Sequence, residues 1–135
     1  MTKYIILIMI FWFGSNNFAQ KWGCISKQDS AKSPTGYTIY PHYPNPFSET
    51  TYIRFDLPDT SKINLVILSE TKDTIRLVYS GILPGGFFRA DWGNMDSQGN
   101  VLPGGIYFIE LTAESKQSSI IHMNFKGIIK WLILR

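Results

Sequence analysis

From about residue 37 onward, apolar and polar residues alternate with a period of two. Ile53, Phe55 and Leu57 fall on one side of the chain and Tyr52, Arg54 and Asp56 on the other. After the turn Pro58-Asp59-Thr60-Ser61 the inward set resumes with Ile63, Leu65 and Ile67. Strict alternation marks a strand with one buried face, and two such runs split by a short turn predict a hairpin. Further strands are expected at Ile75-Leu77-Tyr79, Phe88-Ala90-Trp92, Tyr107-Ile109-Leu111 and Ile121-Met123-Phe125. No segment after the start of the chain carries a capped apolar stripe of helical spacing. The pattern predicts an all-β, antiparallel sandwich of about seven short strands.

The start of the chain breaks this pattern. Lys3 precedes ten apolar residues, Tyr4 to Phe13, and then the polar Gly14-Ser15-Asn16-Asn17-Phe18-Ala19. A basic start, a short apolar run and a small residue are the order of a secretory signal peptide, and the run is too short to cross a bilayer as a helix. Residues 1–19 are read as that signal, with cleavage between Ala19 and Gln20, although Asn17 suits the third position before a cut poorly. Residues 20–36, polar and aperiodic, are expected to form a flexible leader, and residues 37–135 the β domain, with no other domain ahead of it. Cys24 is the single cysteine, so no intrachain disulfide forms. It reads as an unpaired thiol in the leader. A lipid anchor at Cys24 is the minor alternative, because Lys21-Trp22-Gly23 lacks the aliphatic residue that lipobox sequences carry.

Charge and chemistry then exclude more than they assign. The net charge is +3 without a Lys/Arg cluster, which gives no electrostatic case for nucleic acid. His42 and His122 are isolated, no nucleophile motif or phosphate loop occurs, and Asp56, Asp91 and Glu110 read as solvated outward positions. Asn94, Asp96 and Gln98 alternate as in a calcium loop, but the twelfth position is Gly105 instead of glutamate. No enzyme activity, metal, cofactor or small-molecule substrate is expected.

Two blocks stand out. In Tyr43-Pro44-Asn45-Pro46-Phe47 the two prolines fix φ and donate no ladder bond, giving a rigid extended entry that Phe47 can plug against the sandwich. From Trp92 to Leu111, six residues separate Trp92 from Gly99, five more separate Gly99 from Gly105, and Tyr107, Phe108 and Leu111 follow. Glycines there suit turns of positive φ. Together these blocks resemble the immunoglobulin-like module shared by C-terminal sorting domains of type IX secretion cargo and by flagellar hook-capping proteins. The family's glycine-containing middle hairpin is replaced by the polar Ser69-Glu70-Thr71-Lys72-Asp73. The chain's end, with Lys126, Lys130 and Arg135, resembles the basic final strand of sorting domains but is longer and more apolar, and residues 128–134 are expected to pair with the sheet or a partner.

The resemblance implies a non-enzymatic exported protein. The Sec translocon and signal peptidase would handle residues 1–19, and type IX machinery at the outer membrane would read the folded domain and carry it from the periplasm to the cell surface or medium. The alternative is an exported immunoglobulin-like module that binds a protein partner through a sheet edge. A hook-capping role ranks third, since those proteins lack such a signal.

Overall fold

The computed structural model describes residues 18–41, 51–116 and 124–133. Among the described residues, nine strands form two antiparallel sheets: β1 (Phe18–Trp22), β2 (Ile25–Gln28), β3 (Thr38–Ile39), β4 (Thr51–Leu57), β5 (Ser61–Leu68), β6 (Thr74–Leu83), β7 (Gly86–Trp92), β8 (Gly105–Ser115) and β9 (Asn124–Ile133). One sheet has the order β1-β2-β7-β4-β3 and the other β6-β5-β8-β9. With β3, β4 and β7 in one layer and β6, β5, β8 and β9 in the other, the connections are those of an immunoglobulin-like sandwich. The six strand positions named from the sequence fall on β4 to β9, the last of them through Phe125 at the start of β9, and β1, β2 and β3 are additional.

The alternation explains the core. Ile53, Phe55 and Leu57 from β4 meet Ile63, Leu65 and Ile67 from β5, and all six are fully buried. Phe88, Ala90 and Trp92 from β7 and Tyr107, Ile109, Leu111 and Ala113 from β8 complete the two inner faces. Phe55 and Phe88 stack at 5.4 Å between ring centroids, a favourable offset contact that ties β4 to β7.

Four sequence expectations are corrected. The β4–β5 hairpin does not form: β4 pairs with β7 and β3, β5 pairs with β6 and β8, and Pro58 to Thr60 arches from one sheet to the other. Period-two burial is the same whether two strands share a sheet or face each other across a core, so the pattern could not separate hairpin from arch. The inward set Ile75-Leu77-Tyr79 is also revised. β6 bulges where Leu65 pairs with Tyr79 but Val66 with Leu77, and again between Ile67 and Leu68. Each bulge adds one unpaired residue and re-aims those after it, so Ile75, Val78 and Tyr79 pack against the core and Leu77 is exposed.

The third correction concerns the leader. Residues 20–22 and 25–28 lie in β1 and β2, and β2 pairs with β7 through Ile25–Ala90, Ser26–Arg89 and Lys27–Phe88. Ile25 is completely buried. Trp22 meets Phe88 edge-on at 5.9 Å. The polar look of this segment arises because a lone Ile25 carries the inward face of a four-residue strand. β1 also spans the expected cut: Phe18 and Ala19 belong to it, while Gln20, Lys21 and Trp22 pair with Lys27, Ser26 and Ile25. Of the expected signal, residues 1–17 lie outside the described residues.

The fourth concerns the end of the chain. The last strand begins at Asn124, so Phe125 is its second residue and positions 121–123, expected in it, lie outside the described residues. The apolar tail pairs with the sheet, as one of its two expected fates: β9 runs along β8 from Glu114–Asn124 to Gly105–Ile133. Trp131 and Ile133 turn inward and close the core.

Candidate functional site

The Trp92–Leu111 block forms one end of the sandwich, crossing from β7 in one sheet to β8 in the other. Trp92 is buried at the end of β7, and its indole N–H donates to the Met95 carbonyl at 3.0 Å. Asn94 follows with φ of 55°, a left-handed conformation that asparagine tolerates better than most residues. Its buried side-chain oxygen accepts the Thr51 hydroxyl at 2.6 Å, and its carbonyl accepts the Leu102 N–H at 3.0 Å.

Asp96 pins the loop tip. Its Oδ1 accepts the N–H groups of Gln98 and Asn100, each at 2.9 Å, and its own N–H donates to the Asn100 carbonyl at 2.9 Å. Those bonds, the one from Asn100 first, hold the Asp96 carboxyl below its ordinary value. Gly99 supplies the φ of +84° that closes the turn. Arg76 of β6 donates to the Asp96 carbonyl at 2.7 Å, fastening the loop to the second sheet. The alternation of Asn94, Asp96 and Gln98 thus serves a backbone cap, and among the described residues no cluster of His, Cys, Asp or Glu is placed to hold a metal ion.

Tyr107 completes the block. It is buried at the start of β8 and its hydroxyl donates to the Pro103 carbonyl, four residues upstream, at 2.6 Å. This is the tyrosine corner of immunoglobulin-like sandwiches, which locks the crossing into the second sheet. Leu111 lies in the core, Gly105 opens β8, and Phe108 faces outward beneath the Lys72 ammonium, 3.5 Å from its ring centroid. The structure therefore places Trp92, Gly99, Gly105 and Tyr107 along one crossing between the sheets, with Leu111 further along β8 in the core and Phe108 on the outer side.

The basic end is on β9. Lys126 and Lys130 point away from the core on the outer side of this edge strand, opposite Thr112 and Phe108. Lys126 lies 3.7 Å from the Glu110 carboxylate, a partner the sequence reading left as a solvated face. Gly127 sits between them on the inner side, where a Cβ would come 2.6 Å from Ile39 of β3 and 2.9 Å from Phe125. Only glycine lets β3 and β9 approach so closely at the open side of the sandwich. Tyr43–Phe47, His42, His122 and Arg135 lie outside the described residues.

Two polar arrangements were missed by the sequence reading. At the β4–β5 arch, the Asp59 carboxylate accepts the Ser115 hydroxyl at 2.9 Å and that of Tyr37 at 3.2 Å, while Tyr37 and Ser61 lie 2.7 Å apart. Burial pushes the Tyr37 hydroxyl above its usual range. The second corrects the outward placement of Asp56, which is only 7% exposed and accepts the Tyr40 hydroxyl. Neither left a signal, because the partners are remote in sequence. Cys24 sits in the β1–β2 turn, half-buried, with its thiol 3.5 Å from the Val78 carbonyl and raised above its usual value by burial.

Comparison of the chain with models of known protein families and with curated proteins finds no match.

Proposed function

We propose that this protein is exported and that its sandwich is a sorting module for type IX secretion, recognised as a folded unit together with its last strand. The observation that carries the reading is the Trp92–Leu111 block, whose spacing resembles that family and whose Trp92 and Tyr107 fasten a tyrosine-cornered crossing. A basic edge strand supports it: β9 pairs with β8 on one side and displays Lys126 and Lys130 outward. In this account the Sec translocon passes the chain and signal peptidase removes residues 1–19, leaving Gln20–Trp22 to keep its register with β2. Outer-membrane machinery then reads a surface that folding has fixed, and no reaction at a catalytic centre is required.

The test is a charge change that leaves the fold intact. In an exported reporter fused to the sandwich, Lys126→Gln combined with Lys130→Gln should reduce surface delivery, because both ammonium groups are solvent-facing and cost little stability when removed. Undiminished delivery by the double variant would remove the basic strand from the account. The competing reading, a partner-binding module using a sheet edge, draws on the same strand: β9 is long and its pairing with β8 shows no register shift. It predicts capture of an envelope protein by the domain and no export of the reporter.

A further inference from the structure

The outer face of the five-stranded sheet carries a groove that none of the preceding argument uses. Gln28 of β2, Phe87 of β7, Arg54 and Asp56 of β4, and Tyr40 just beyond β3 line a hollow of about 400 Å³. That is within the range of roughly 300–1,000 Å³ found for small-molecule sites. The register explains the convergence: Asp56 pairs with Phe87 on one side and Thr38 on the other, and the Tyr40 N–H bonds to the Arg54 carbonyl.

The side chains chosen here are not those a bare structural surface needs. Arg54 stands directly opposite Arg89, and like charges so placed are destabilising. Arg89 is compensated by Asp91 at 3.2 Å and by the Tyr52 ring at 4.8 Å. Arg54 is near enough to the Asp56 carboxylate to favour its charge but, among the described residues, forms no direct ion pair, and it lines the groove. Asp56 is nearly buried yet stays accessible from the hollow, with Tyr40 hydrogen-bonded to it and so held in place.

We propose that this groove binds a neutral oligosaccharide. Each hydroxyl of a sugar donates and accepts, and the groove offers both partners: a guanidinium to donate, a carboxylate to accept and the Gln28 carboxamide for either. Tyr40 and Phe87 add aromatic rings against which the apolar C–H face of a pyranose can lie. The carboxylate of Asp56 in the wall disfavours phosphate and other anions. A peptide strand is disfavoured too, because the backbone groups beneath the groove are already spent in the ladders among β2, β7, β4 and β3. Polar groups on three adjacent strands do not suit a purely apolar ligand.

The full chain, labelled with ¹⁵N, would be titrated separately with cellohexaose, maltohexaose and mannohexaose, and with an oligogalacturonate as the charged comparison. At least one neutral sugar should shift the amide signals of Gln28, Tyr40, Arg54 and Phe87 saturably. Phe87→Ala and Arg54→Gln should each weaken that binding about tenfold, as loss of one stacked ring or one charge-assisted bond does. Ile128→Ala, on the opposite sheet, should leave it unchanged. Unperturbed spectra elsewhere would show that the variants fold. The proposal is overturned if none of the three neutral sugars shifts these signals up to about 10 mM, a weak-binding limit. It is equally overturned if only the oligogalacturonate does so, or if both groove variants bind as the native chain does.

Discussion

Single residues decide how the chain turns from one sheet to the other. Tyr107 joins an apolar ring in the core to a hydroxyl bonded to the Pro103 carbonyl, so Tyr107→Phe keeps the packing and removes one bond. The expected loss is about 1 kcal/mol of stability, read from the urea midpoint at unchanged m-value. Asp56 acts through its charge. Burial, only partly offset by the Tyr40 hydroxyl, raises its carboxyl above the ordinary 3.8. The native state therefore holds that proton more firmly than the unfolded chain, and this group's contribution falls as pH rises from near 3.8 through the raised native value. Urea unfolding of the native chain and Asp56→Asn between about pH 3 and pH 7 should show the variant gaining relative stability across that window and then holding level. A constant difference across the series would mean that Asp56 is not held in this environment. Tyr107 and Trp92 were legible in the sequence as inward positions of alternating strands, although their hydrogen bonds were not. Asp56 was not, since its burial depends on Tyr40 from a separate strand.

At the scale of elements, alternation located the strands but not their partners. It found the inner faces of β4, β5, β7 and β8 correctly, since each contributes apolar residues at every second position. It could not choose between a hairpin and an arch at Pro58-Asp59-Thr60, nor foresee the bulges of β6, where alternation itself breaks. It also passed over β2, whose single core residue, Ile25, is too little pattern to register. The turn between β5 and β6 forms without glycine: Lys72 takes the positive φ of 71°, with the Ser69 N–H bonded to the Asp73 carbonyl across the turn at 2.8 Å. For β9 the period-two burial makes a sharp contrast between neighbours. Trp131 is 2% exposed and Leu132 43%. Trp131→Ala should cost about 3–5 kcal/mol, as large core deletions do, whereas Leu132→Ala should stay within about 0.5 kcal/mol. Similar losses from both, by chemical denaturation, would contradict the inward and outward faces assigned to β9.

For the whole molecule, the two outer faces of the sandwich differ in chemistry. One carries Arg54, Asp56, Tyr40 and Phe87 around a groove, and the other carries Lys62, Lys126 and Lys130 among aliphatic residues such as Ile128 and Leu132. The sorting proposal needs the folded body as well as its last strand, because β9 is held in place by Trp131, Ile133 and its long ladder with β8. It also needs β1 and β2, since Ile25 and Trp22 cover the core beside Phe88. The sequence alone disclosed the fold class and marked the Trp92–Leu111 block, though not that it crosses between the sheets. It concealed the N-terminal strand pair, which a fusion begun at Tyr37 would omit. The most direct measurement is therefore made with residues 20–135 fused behind a signal peptide and a fluorescent reporter, in hosts with and without a type IX apparatus. The account predicts reporter on the surface or in the medium only where the apparatus is present. Retention in the periplasm of both hosts, with the fused domain folded, would contradict it.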